Sequence, residues 1–87
     1  MAVEGRHIHR RTNPAGLEFE LGCFGKAPGA AALGEPTTEH SWFGGYAWCF
    51  DLCRGCGTHL GWYFDGSEPP FHGLILNRLQ LEDDVPQ

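Results

Sequence analysis

The chain has 87 residues, enough for one domain but near the size at which a hydrophobic core alone supplies only a few kcal/mol. Six basic against eleven acidic side chains give a formal charge of −5, a field that repels phosphate backbones and argues against a nucleic-acid partner. Thirteen glycines and six prolines disfavour long helices, and no apolar run approaches the roughly 20 residues of a membrane span. The opening residues MAVEGRHIHRR lack the apolar centre of a secretory signal, so the expectation is a β-rich domain with no membrane partner in a cytoplasmic, reducing setting.

In chain order, residues 6–11 and 17–24 are predicted to form a hairpin. Between them Asn13-Pro14-Ala15-Gly16 supplies turn chemistry, with Pro14 fixing φ and Gly16 free to take a positive φ. Leu17, Phe19, Leu21 and Cys23 alternate with Glu18, Glu20 and Gly22, the period-2 pattern of a strand with one buried face. Residues 26–36, KAPGAAALGEP, show no clear period, and Gly29 and Gly34 lie too close for a stable helix, so an irregular connection is predicted. Trp42 is placed on a loop or at a strand start. Residues 46–52 form the next strand, with Tyr46, Trp48 and Phe50 on one face and Cys49 and Asp51 on the other. The segment CRGCG (53–57) is a tight turn, after which Leu60, Trp62 and Phe64 are predicted to share one face of a further strand. Asp65-Gly66-Ser67 and Pro69-Pro70 turn the chain into a last apolar strand, FHGLIL (71–76), and 81–87 is a polar tail predicted to fray.

Function is carried by the three tryptophans, Trp42, Trp48 and Trp62, all in the one stretch 42–62 with Phe64 just beyond. Large indoles set among glycines and polar residues fit a pocket with aromatic walls, and equally a compact aromatic core. Four cysteines in a reducing setting are free thiols or metal ligands sooner than disulfides. Cys53 and Cys56 have C-x-x-C spacing, whereas Cys23 and Cys49 match ordinary strand positions and are expected as buried thiols.

Together, GEPTTEHSWFGGYAW (34–48), CRGCGTHLGWYF (53–64) and FHGLILNRL (71–79), with NPAG (13–16) upstream, resemble the cereblon-type thalidomide-binding domain, or CULT domain. The likeness covers nearly all of the chain from about residue 7 and is greater to bacterial single-domain members than to the multidomain ubiquitin-ligase receptor. It implies an all-β fold, a β-tent of two antiparallel sheets meeting at a zinc-knuckle-like turn. It also implies a cage of Trp42, Trp48 and Trp62 floored by Phe64. Main-chain groups of His40 and Trp42 would bind an imide, Asn13 would stand at the rim, and Ser41 could add a hydroxyl. The implied ligands are glutarimides such as thalidomide, uracil-like rings and C-terminal cyclic imides of peptides; ligase partners are not implied.

The chemistry suits these residues. A cyclic imide presents one N–H between two carbonyls and a methylene edge polarised positive. Indole faces are negative and match that edge, while main-chain amides and carbonyls match the polar rim.

The resemblance also implies zinc. Tetrahedral structural zinc takes four ligands, usually from two C-x-x-C pairs, and these residues hold only the pair Cys53 and Cys56; the family's first zinc hairpin is missing upstream of NPAG. His7, His9 and His59 are the available substitutes, and the spacing favours none. Two other classes share parts of the pattern. A zinc-knuckle protein-interaction module would use the tryptophans as core or contact patch. A methionine sulfoxide reductase-like enzyme would have to use Cys23 or Cys49, neither of which has an adjacent basic residue to activate it.

Overall fold

A computed structural model describes residues 1–66 and 68–78. Ser67 of the predicted turn, Leu79 and the 81–87 tail lie outside the described residues. The described residues form six antiparallel strands: β1 (Ile8–Thr12), β2 (Glu18–Phe24), β3 (Ala30–Thr37), β4 (Tyr46–Cys53), β5 (His59–Gly66) and β6 (Phe71–Ile75), followed by a 3-10 turn at Leu76–Arg78. The protein is all-β, as its glycine content and alternating segments predict.

β1 and β2 form the expected hairpin, with Arg11 opposite Phe19 and His9 opposite Leu21. Its turn is closed by Asn13, whose Oδ1 accepts the Leu17 N–H at 2.9 Å and whose carbonyl accepts the Gly16 N–H at 2.9 Å. Gly16 has φ 87°, a conformation that a side chain would oppose.

Residues 30–37 differ from the predicted irregular connection. They form an edge strand pairing Ala30 with Cys53, Leu33 with Phe50 and Thr37 with Trp48, and the register shifts between Leu33 and Thr37 around Gly34 and Pro36. An edge strand has one free side and needs no internal hydrophobic period, so the ladder offered by β4 outweighs a local sequence that favours neither helix nor strand.

The strand order is β1-β2-β6-β5-β4-β3 in one sheet. The two wings implied by the resemblance are here joined by β6, which pairs with β2 at Leu21↔Ile75 and with β5 at Trp62↔Gly73 and Phe64↔Phe71. Facing residues of an antiparallel pair project from the same side, so Phe19, Leu21, Cys23, Ile75, Phe71, Phe64, Trp62, Phe50, Trp48 and Tyr46 share one face. Over that face folds the loop 38–45, which inserts Phe43 into the core. Phe43 is wholly buried and meets Phe64 and Phe71 edge-on at 5.0 and 5.2 Å, while Phe64 and Phe71 stack at 4.9 Å.

Asp51, on the opposite face, is also wholly buried. Its Oδ2 pairs with Nδ1 of His72, which ties β4 to β6 across β5, and its Oδ1 has no partner among the described residues. The intervening strand places Gly61 opposite Asp51, with no side chain to obstruct the pair.

A Cβ at Gly61 would lie 2.1 Å from the Gly73 carbonyl oxygen and 2.8 Å from Leu74 Cα. These are backbone atoms of β6, which leaves nothing flexible to yield. Gly61→Ala is therefore expected to destabilise the domain by about 2–3 kcal/mol, measured by urea unfolding, and a change within about 0.5 kcal/mol of zero would refute that packing.

Candidate ligand-binding pocket

The predicted face of β5 needs one correction, and it decides the make-up of the site. Asp51 pairs with Gly61 but Leu52 pairs with His59, so Leu60 is an extra residue on β5, a β-bulge. The bulge reverses the alternation. His59, not Leu60, joins Trp62 and Phe64 on the aromatic face, and Leu60 turns to a second hollow beside Cys53 and Cys56.

On the aromatic face lies a cavity of about 480 Å³ lined by Asn13, Pro14, Leu17, Phe19, His40, Trp42, Trp48, Phe50, His59, Trp62, Phe64 and Arg78. Six of the seven residues predicted for the site thus border one hollow, drawn from the β1–β2 turn, the 38–45 loop, β4 and β5. Ser41 is the exception. Its hydroxyl donates to the Phe43 carbonyl at 3.1 Å and accepts the Phe43 N–H at 3.4 Å, bracing the loop behind the wall.

The tryptophans are fixed by their indole N–H groups. Trp42 Nε1–H donates to the Thr12 carbonyl at 3.1 Å, tying the loop to the end of β1, and Trp48 Nε1–H donates to the Glu39 carbonyl at 2.7 Å, tying β4 to the loop. Both rings are thereby oriented through their edges, which leaves π surface for the hollow. Trp62 meets Trp42 at 4.8 Å and 78°, and Phe19 meets Trp62 at 5.3 Å, so the rings touch at an edge and do not fill the space between them. Phe64, 1% exposed, forms the base and belongs to the core as much as to the cavity.

The loop places His40 and Trp42 at this wall. His40 has φ 57°, a left-handed conformation uncommon for a residue with a side chain. It is held by the Ser41 N–H to Thr38 carbonyl bond at 3.1 Å and by Trp48 on the Glu39 carbonyl. Among the described residues no protein group hydrogen-bonds the main-chain N–H or C=O of His40 or of Trp42.

Sequence reasoning did not assign Phe19, Phe50, Leu17, Pro14 and Arg78 to the site, and it considered His59 only as a metal ligand. Phe19 was within reach, since it alternates with Leu21 and Cys23. His59 could have been suspected from Gly61, because a glycine inside a strand pattern often marks a bulge.

No family model matches the chain. Cereblon from Danio rerio is 42% identical over 80 residues, covering 86% of this chain and 18% of that protein. Cereblon from Gallus gallus is 44% identical over 83 residues, covering 84% and 19%. These similarities support a cereblon-type domain. Cereblon from Xenopus tropicalis agrees, at 42% over 73 residues, 78% of this chain and 16% of that protein. The chain spans less than a fifth of the length of these cereblons.

The described residues do not make a closed zinc site. Among the described residues no group of three or more His, Cys, Asp or Glu side chains could hold a metal ion. Cys53 and Cys56 offer two ligands of the four required. His9 Nε2–H is committed to the Val3 and Arg6 carbonyls at 2.9 and 3.1 Å, His7 Nδ1 lies 3.0 Å from the Met1 carbonyl, and His59 borders the aromatic cavity.

The thiols divide by environment. Burial pushes Cys23 up, and burial with the nearby Asp51 pushes Cys49 up, which is the opposite of an activated nucleophile. Cys56 is lowered by hydrogen bonds from the Thr58 side chain and main chain and from Cys53, and it is exposed. Mass-spectrometric mapping after brief iodoacetamide treatment of the native protein at neutral pH is expected to find Cys56 carboxyamidomethylated before Cys23 and Cys49. Equal labelling of all three would contradict these environments.

Burial pushes His59 below the ordinary imidazole value, the Gly61 carbonyl opposes that shift and Arg78 adds to it. The neutral ring is therefore favoured in the folded state, and the unfolded chain binds the proton more tightly. The contribution of His59 to stability is present above about pH 6.5 and is lost as the pH falls toward the lower folded value. Between about pH 7.5 and about pH 5.5 the melting temperature is expected to drop less steeply in His59→Gln than in the parent, as read by scanning fluorimetry. Parallel curves would rule out a role for His59.

Proposed function

We propose that the domain is a binding module, not an enzyme, and that it captures small cyclic imides: glutarimides, uracil-like rings and the C-terminal cyclic imides of peptides. The ring would stand between Trp42, Trp48 and Trp62 above Phe64. The observation that carries this proposal is the division of labour at the wall. Both loop-linked indoles spend their N–H groups on main-chain carbonyls, while the main-chain N–H and C=O of His40 and Trp42 have no partner among the described residues and both residues border a cavity of about 480 Å³. An aromatic hollow of that size with a few convergent polar groups is the usual form of a small-molecule site.

Selectivity follows from the same groups. An imide N–H and its two carbonyls can meet a main-chain acceptor and donor, whereas methylation of the nitrogen or loss of a carbonyl leaves a partner desolvated and unpaired, at a cost of about 1–3 kcal/mol. A ring of fewer than about ten heavy atoms fits micromolar affinity, about −8 kcal/mol. The similarity to cereblons supports this proposal at the level of the domain.

Ligand at about 100 times its Kd adds about 2.7 kcal/mol to the folded state. For a domain of this size that corresponds to a rise of roughly 10 °C or more in melting temperature. Glutarimide is expected to produce such a rise and N-methylglutarimide to produce much less. Trp48→Ala, which truncates a half-buried ring, should keep a folded circular-dichroism spectrum and lose the ligand-induced rise, and Trp62→Ala should lose it too. An unchanged glutarimide response in either variant would refute the cage.

A further inference from the structure

Among the described residues the wall of the cavity carries one permanent charge. No described Asp or Glu lines it, and Arg78 stands there in a chain whose formal charge is −5. Arg78 closes the 3-10 turn after β6 and is held on two sides. Its Nη1 donates to the His59 carbonyl at 3.1 Å and lies 3.3 Å from His59 Nδ1, and its guanidinium carbon sits 5.9 Å from the centre of the Phe19 ring. His59 Nε2–H donates to the Gly61 carbonyl at 2.8 Å, which leaves Nδ1 as the acceptor facing Arg78.

A cation at a strand end is ordinarily a solvated charge. This one is oriented by two residues of the cavity, and only one edge of its fork is used. The Nε and Nη2 hydrogens have no protein partner among the described residues, and no carboxylate of those residues lies within ion-pair distance. Nε and Nη2 form the edge with which a guanidinium receives a carboxylate through two parallel hydrogen bonds.

We infer that Arg78 is a specificity residue for an anionic substituent, and that the preferred ligand is a cyclic imide carrying a carboxylate close outside its ring. This assignment rests on the imide pocket proposed above. The ring occupies the aromatic cage and the carboxylate meets the open edge of Arg78. Two sources share that chemistry, a small carboxylated imide and a peptide whose acidic side chain precedes a C-terminal imide.

Isothermal titration of the full chain separates these. One pair of probes is 3-aminoglutarimide acylated with succinate and the same compound as its primary amide. The other is the acetyl-glutamyl and acetyl-glutaminyl derivatives of 3-aminoglutarimide. At least one acid is expected to bind about five- to tenfold tighter than its neutral partner in about 20 mM salt, with the preference shrinking in about 300 mM. Preference in the first pair identifies the small acid, and preference in the second the peptide. Arg78→Gln should bring the acid-to-amide ratio to about one and Arg78→Lys should keep part of it. Equal affinity within both pairs at low salt, or a preference that survives Arg78→Gln, overturns the inference. If Arg78→Gln fails to fold, the salt dependence in the parent decides alone. Should glutarimide itself fail to bind, the imide pocket falls and this assignment with it. Should glutarimide bind while neither acid is preferred, only the role of Arg78 falls.

Discussion

The insertion of Phe43 beneath the loop 38–45 is the contact on which the site depends. That loop is short, polar and glycine-rich, and its own hydrogen bonds are few. Burying one phenylalanine side chain contributes about 1.5–3 kcal/mol, and each edge-to-face contact with Phe64 and Phe71 adds about 0.5–1.5 kcal/mol. Phe43 is seated in the core while its neighbour Trp42 borders the hollow. The two indole N–H bonds then fix the loop laterally, to Thr12 on one side and from Trp48 on the other. Core and cavity wall are in this sense one aromatic cluster. Phe64 is shared by both, and Trp42, Trp48 and Trp62 belong to or pack against the core while bordering the hollow.

A second constraint is parity along β5. Without the bulge at Leu60, His59 would project with Gly61 and Tyr63 and the aromatic face would end in a leucine. With it, the imidazole lies 4.9 Å from the Trp62 ring and 5.6 Å from Phe50, and the His59 carbonyl and Nδ1 hold Arg78 at the rim. A one-residue insertion in a ladder thus exchanges an apolar side chain for a polar one at the wall. Gly61 is where it happens: close approach of the Gly73 and Leu74 backbone excludes a side chain, and the same lack of a side chain lets Asp51 reach His72 on the other face.

These two constraints explain which features could be read from the sequence. The β1–β2 hairpin and strands β4, β5 and β6 were legible because each alternates or runs apolar between turn residues, and Gly16 takes the positive φ that its turn requires. The buried state of Cys23 and Cys49 followed from the same alternation. β3 was not legible, because Ala30–Thr37 is an edge strand stabilised by its partner and carries glycine and proline at the point where its register slips. Nor was the bulge, since register is a property of two strands and Leu60 looks like any other apolar residue in its own segment. The tryptophans were conspicuous as a group. Arg78 was not, because its place at the cavity depends on β6 passing between β2 and β5 and on a following turn that returns the chain toward Phe19 and His59.

In the binding mode proposed above, part of the polar contact comes from backbone, and this has a physical consequence. A main-chain N–H or C=O cannot change rotamer, so its direction is set once the loop is set. Here it is set by a strained residue: the left-handed His40 costs on the order of 1–2 kcal/mol, held in place by bonds on either side at Ser41 and Glu39. A ligand that pairs with those groups meets donors and acceptors that need no reorganisation, so less of its interaction energy is lost to ordering. In that proposed mode the wall would distinguish a ring by the pattern of N–H and C=O along its edge. Discrimination among larger molecules bearing the same ring must then come from the rim, where Leu17 and Phe50 are 59% and 46% exposed and where Arg78 supplies the charge.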